Sequence, residues 1–294
     1  MSLPAAFVAV IIIWSTTPLT VKWSTDAGYL FRVAGRMTLG TLFCLALTLV
    51  LRLELPWHAV ARRTYAVASI ATYGAMLCVY WSARFVPSGL IAVLFGLTPL
   101  MTALLGRSLL GERSLTPGKI AGMLLGVIGL AVIFGTGTAL GPRAPEGIAV
   151  LLLGVLINAL SMVLVKRSNA LLSPMSVTTG ALLYATPLFL VTWLVFDGGV
   201  PAQLPAQALW SIVYLGLIAS AFGFTLFYYL LKHTSATAVA LLTLVSPVTA
   251  LLLGNLIAQE RVPPAVWLGT ALVLGGLALN QWGDRRLAQR RPGV

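Results

Sequence analysis

The chain has 294 residues, of which 59% are hydrophobic and 9% charged, and its formal charge is +12. A soluble domain of this length would be about a quarter charged, so composition excludes a soluble protein with a single anchor and leaves a polytopic membrane protein. The positive charge does not point to nucleic acid. No soluble basic domain is present to hold one, and most charges sit in joints between apolar runs, where they orient the chain in a bilayer.

A bilayer crossing needs about 20 apolar residues. Ten such segments are predicted, at residues 5–24, 29–51, 65–83, 88–108, 117–135, 146–166, 174–196, 207–231, 236–257 and 264–283. The joints between them are rich in Pro, Gly or charge, as at 55–57, 87–89, 135–145, 173–174, 197–205 and 262–264. The first segment lacks a basic leader and a small-residue cleavage site, and reads as a retained span. Cys44 and Cys78 both lie inside apolar runs and read as packing residues.

Alternate threading sends thirteen of the nineteen Lys and Arg residues to one side, among them Arg52, Arg62, Arg63, Lys166, Arg285 and Arg290. That excess marks the side as cytoplasmic and places both termini there, in a bacterial-type inner (plasma) membrane.

One stretch occurs twice. Residues 94–113 read LFGLTPLMTALLGRSLLGER and residues 242–261 read LTLVSPVTALLLGNLIAQER. A shift of 148 places Thr98 on Ser246, Pro99 on Pro247, Gly106 on Gly254 and Glu112-Arg113 on Glu260-Arg261. A shift of 144 aligns the first spans of the two halves, Trp14 on Asn158 and Lys22 on Lys166. Each half holds five spans, an odd number, so the second half enters the membrane upside down. The expected fold class is therefore all-α, with ten transmembrane helices as a 5+5 inverted-topology repeat. The halves divide at 1–140 and 141–284, and a basic cytoplasmic tail follows at 285–294.

These features resemble the drug/metabolite transporter superfamily in its ten-helix form with two EamA-type halves. The resemblance rests on WSTTPLTVK near the start, TPLMTALLGRSLLGER and SPVTALLLGNLIAQER, and the glycine-spaced GKIAGMLLGVIGLAVI and WLGTALVLGGLALN that follow them. It covers essentially the whole chain. It implies export of small metabolites from a cavity formed by spans 1–4 and 6–9, with spans 5 and 10 peripheral. Within the superfamily it points to the aromatic and other amino-acid exporters of the YddG type. The chain departs from the family pattern at Ser15, where a glycine usually follows the tryptophan.

Candidate residues follow from what is costly in hydrocarbon. Arg36 lies about 10 Å below the start of the second span by the helical rise. A guanidinium at that depth should face protein or water and could hold a substrate carboxylate by a bidentate contact; the alternative, for it and Arg32, is snorkelling to the interface. Tyr73 and Tyr80 recur on the third span, and the 148 shift places Tyr80 on Tyr228. Each phenol needs a partner or water, so they read as cavity lining or as an interfacial aromatic belt. Trp14, Asn158 and Tyr184 complete the substrate-binding candidates. Pro99 and Pro247 each remove a donor inside a helix, with Thr98 and Ser246 placed to re-satisfy the ladder; they read as matched gating hinges or as packing kinks.

No predicted span carries an Asp or Glu near its middle, and His58 and His233 fall in joints. Direct proton coupling is therefore expected to be weak or absent. The same absence, with no HExxH motif, argues against an enzyme and calls for no cofactor and no metal. A channel would show a continuous polar stripe rather than two inverted halves. The expected partners are a small-molecule substrate and the lipid bilayer, and the expected state is a monomer, because the glycine stripes of spans 5 and 10 read as packing within one chain. Amino acids, aromatic ones included, are the expected cargo, and lipophilic cations attracted to aromatic walls are the rival.

Overall fold

The computed structural model describes residues 2–23, 28–110, 117–134, 141–168, 172–201, 204–233, 249, 253, 255–257, 259 and 262–289. Every regular element among them is helical, as expected where no water is available to hydrogen-bond an open backbone. Helix α1 is Leu3–Trp23 and α2 is Tyr29–Val50. The third span starts earlier than predicted: α3 (Ala59–Ile70) begins behind His58, whose Nδ1 accepts the Ala61 amide at 3.3 Å. It then widens into a π-helical turn, Ala71–Ala75, and continues as α4, Met76–Ser82.

The fourth span is α5 (Ser88–Phe95) and α6 (Thr98–Leu110). After α7 (Pro117–Phe134) come α8 (Ala144–Ser168) and α9 (Pro174–Phe196), the latter capped by the Ser173 hydroxyl accepting the Ser176 amide at 3.0 Å. The eighth span again contains a π-helical stretch, Leu215–Gly223, between α10 (Ala206–Tyr214) and α11 (Phe224–His233). Helix α12 is Pro264–Gln289, so residues 285–289, expected as tail, continue the helix. The predicted ninth span lies almost wholly outside the described residues, although Thr249 within it hydrogen-bonds Ser15 of α1.

Six described segments are long and apolar enough to cross a membrane: Leu3–Trp23, Tyr29–Val50, Ser88–Gly106, Ala144–Ser168, Pro174–Phe196 and Ala206–Phe227. Ile120–Ile133 and Pro264–Gly276 are shorter apolar helices. The third span carries exposed Arg62 and Arg63 in its first turns, which lowers its hydropathy without shortening it.

Pro99 is not in a helix interior. The chain breaks at Gly96 and Leu97, and Pro99 is the second residue of α6. In the first turn its missing N–H removes a donor that has no intrahelical partner anyway. The carbonyl that a non-proline residue 99 would have used, that of Phe95, accepts the Thr98 hydroxyl at 2.7 Å instead.

Side-chain contacts fix which ends meet. Lys22 at the end of α1 reaches the Val86 carbonyl at 3.4 Å, and the exposed Arg84 stacks over Tyr29 at the start of α2, 4.4 Å from the ring centroid. Arg143, ahead of α8, stacks over Phe85 at 4.3 Å and pairs with Glu146 at 3.0 Å. Helix α8 thus begins at the end of the bundle where α1 finishes. At the opposite end the Ser176 hydroxyl donates to the Glu54 carbonyl at 2.6 Å and Thr64 to Ser168 at 3.0 Å.

Helices α7 and α12 pack against each other as a pair. Their glycines allow the backbones to touch: a Cβ on Gly129 would lie 2.6 Å from the Gly269 carbonyl oxygen, and one on Gly276 would collide with the Gly122 carbonyl. The glycine stripe is therefore used inside the chain. Valine at Gly276 is expected to force these backbones apart and destabilise the pair by about 1–3 kcal/mol or more. Valine at Gly275 would meet only the Leu125 side chain, at 3.2 Å, and should be much milder. Thermal unfolding of both variants in detergent checks this; equal losses would be inconsistent with the close backbone approach.

Candidate substrate site

A charged residue is buried where two helices touch without side chains between them. A Cβ on Gly216 would lie 2.9 Å from the Arg36 carbonyl oxygen, and one on Gly40 would lie 3.1 Å from the Gly216 carbonyl oxygen. This approach brings α2 against the second π-helical stretch and sets the Arg36 side chain beside Ser220. Its Nε donates to the Ser220 hydroxyl at 2.9 Å, and Nη1 donates to the Tyr80 hydroxyl at 3.4 Å. The guanidinium lies 5.8 Å from the Tyr80 ring centroid. Arg36 is 1% exposed, and Tyr80 and Ser220 are 0% exposed.

Snorkelling is ruled out for Arg36 by that burial. Arg32 is buried too, at 2%, and its Nη1 donates to the Trp23 carbonyl at 3.4 Å. Tyr80 belongs to the interior rather than to a lipid-facing belt. Among the described residues no carboxylate pairs with Arg36. Two hydroxyl dipoles are a modest exchange for water, and leaving a buried cation without a counter-ion costs several kcal/mol.

Tyr73, on the first π-helical turn, donates to or accepts from the Thr192 hydroxyl at 2.7 Å, with its ring edge-on to Phe189 at 4.9 Å. It ties the third span to α9. Helices α2 and α9 are joined by Thr41–Thr186 at 2.6 Å and, two turns along, Thr48–Thr179 at 3.4 Å, an antiparallel pairing at seven-residue spacing on both.

The other candidates lie elsewhere. Trp14 is half-buried against Phe227, with ring centroids 5.0 Å apart. Asn158 directs its amide along its own helix to the Met162 sulfur at 3.9 Å. Tyr184 is 6.2 Å from the Trp57 ring, in the cluster around Tyr65 and Ala181, away from Arg36. Tyr228 is on α11, its side chain outside the described residues; Ser246 and Pro247 also lie outside them. The residues that sequence reasoning missed are Ser220, Gly216 and the threonines of the α2–α9 seam.

Two clefts open on the bundle surface. One of about 440 Å³ lies between α1 and α10 and is lined by Thr16, Thr20, Trp23, Trp210 and Tyr214, among others; one of about 300 Å³ lies between α2, α9 and α10. None of the described candidate side chains lines either cleft. Among the described residues no group of His, Cys, Asp and Glu could hold a metal ion.

Repeated apolar helices around an internal polar cluster define a multi-pass membrane protein of the transporter class. The EamA-like transporter family matches residues 2–135 and 145–281, and the chain belongs to that family. It is 24% identical to an uncharacterised transporter, YoaV, of Bacillus subtilis (strain 168), over 93% of this chain and 94% of that protein. It is 32% identical to a probable terminal-alkyne amino-acid exporter of Streptantibioticus cattleyicolor, over 72% of this chain and 69% of that one. A probable amino-acid metabolite efflux pump of Escherichia coli (strain K12) is 25% identical, over 68% and 69%. A crystal structure 22% identical in sequence aligns with a TM-score of 0.68 and covers 99% of each chain, a likeness of fold.

Proposed function

We propose that this transporter exports small metabolites bearing a carboxylate, amino acids among them, by alternating access around Arg36. The observation that carries the reading is the buried guanidinium held by Tyr80 and Ser220 with no described carboxylate beside it. A carboxylate would supply the missing charge through bidentate, charge-assisted hydrogen bonds. Two relatives are named for amino-acid or amino-acid-metabolite export, which fits this chemistry. A lipophilic cation would have to approach a buried cation, which disfavours the multidrug alternative. The YddG-type aromatic branch is the finer form of the proposal, with Tyr73 and Phe189, whose rings meet edge-on at 4.9 Å, as an aromatic surface.

Ten spans in two inverted halves, divided at 1–140 and 141–284, belong to the same proposal. The family matches the chain twice, and α8 starts at the end where α1 stops. Positive charge orients both termini to the cytoplasm. The use of the glycine stripe between α7 and α12 favours a monomer.

Counterflow in proteoliposomes over a panel of amino acids, organic cations and nucleotide sugars tests the reading. Amino acids should exchange, and each should be preferred over its decarboxylated amine. Exchange of the organic cations alone would replace the proposal with the multidrug one. With no carboxylate or histidine among the described buried residues, a pH gradient alone should not drive uphill uptake once substrate ionisation is controlled.

A further inference from the structure

The guanidinium of Arg36 comes from the first half of the chain and its best hydrogen bond goes to the second. Ser220 lies in the π-helical stretch Leu215–Gly223, where i→i+5 hydrogen bonding in place of i→i+4 shifts side chains off the ordinary helical register. The 148 shift carries Ala71–Ala75, the other described π-helical stretch, onto 219–223, and Thr72 onto Ser220. Two buried hydroxyls thus occupy matched places in matched π-helical turns, and only Ser220 meets a cation. The Thr72 hydroxyl donates to the Ala68 carbonyl of its own helix at 3.2 Å.

The geometry decides which edge of the guanidinium is available. A carboxylate can take Nε with one terminal nitrogen, side-on, or both terminal nitrogens, end-on. Ser220 accepts from Nε at 2.9 Å and so occupies the side-on edge. Tyr80 accepts from Nη1 at 3.4 Å, a long bond that an anionic oxygen would displace. We propose that Ser220 is a positioning residue that fixes Arg36 for end-on capture of a substrate carboxylate and links that subsite to the π-helical stretch of the second half. The proposal rests on the carboxylate reading of Arg36 given above. It adds a specificity determinant supplied by the opposite half. Ser220 itself does not touch the substrate.

The test is counterflow by the full-length protein with L-phenylalanine, L-leucine and their decarboxylated forms, phenethylamine and isoamylamine. Ser220→Ala should raise KM for both amino acids by about tenfold or more, the scale of one charge-assisted hydrogen bond, with little change for the amines. Ser220→Thr, which keeps the acceptor, should restore the wild-type KM. Ser220→Cys, a weaker acceptor, should fall between them and keeps the test available if the alanine variant is not monodisperse. Unchanged amino-acid KM in Ser220→Ala would overturn the proposal, as would equal losses for amino acids and amines, which is what a purely structural role predicts. Arg36→Met separates the two layers. If it keeps the preference for amino acids over amines, the carboxylate reading fails and this inference with it. If it loses the preference while Ser220→Ala keeps it, only the inference fails.

Discussion

Methionine at Arg36 is expected to make the protein more stable to heat while raising KM for carboxylated substrates by roughly 100-fold or more. The two effects have one origin. The guanidinium is 1% exposed and held by two hydroxyls. Its desolvation is only partly offset, and replacing such a charge by an apolar side chain of similar volume is often neutral or stabilising by about 1–4 kcal/mol. With a substrate carboxylate bound, the same group would make two charge-assisted hydrogen bonds, each worth about 1.5–3 kcal/mol. Thermal unfolding of the purified protein and counterflow with an amino acid measure the two sides. A lower melting temperature together with unchanged amino-acid KM would mean that Arg36 is a structural residue and not a carboxylate receptor.

That residue is legible in the sequence because a charge seven residues into an apolar span is conspicuous. The span limits are legible for the same reason: hydropathy changes sharply at joints such as 51–58 and 197–205, and α2 and α9 start and stop within a residue of the predicted limits. Pro99 shows where hydropathy misleads. Residues 88–106 carry no charge, which suggests one helix with a proline inside it. Local chemistry holds the better reading, since Gly96 followed by Thr98-Pro99 is a helix stop, then a hydroxyl and a proline in the first turn of a new helix. A hinge at Pro99, as expected from the sequence, would have to act between two helices rather than inside one.

The π-helical stretches leave no trace in composition, because an i→i+5 turn has the same hydropathy as an i→i+4 turn. Ser220, in the run ASAFG, looks like ordinary small-residue packing. Only the repeat could have raised it, by placing Thr72 on it, and only the fold puts Arg36 beside it. Tyr184 and Asn158 meet partners other than Arg36. A polar side chain inside a span needs a partner, but the partner can be its own helix, as with Asn158 and Met162, or a cluster at the bundle end, as with Tyr184 and Trp57.

Valine at Gly216 is expected to abolish transport by a different route. Its Cβ would sit 2.9 Å from the Arg36 carbonyl oxygen and 3.0 Å from the Leu39 Cβ. Backbone cannot swing aside as a side-chain tip can, so α2 and the π-helical stretch must separate. The hydrogen bond from Arg36 to Ser220, 2.9 Å long, spans that seam and would break as it opens. Overpacking of this kind costs about 1–3 kcal/mol, so the melting temperature should fall as transport disappears. Alanine at Gly35, one residue before Arg36, would meet only the Ile212 side chain at 3.5 Å and should leave both nearly unchanged. Normal transport by Gly216→Val would show that the close approach of α2 to the second half is dispensable. The Arg36 and Gly216 variants should therefore agree in losing amino-acid transport and move stability in opposite directions. That opposition distinguishes removal of a buried charge from disruption of the seam that holds it.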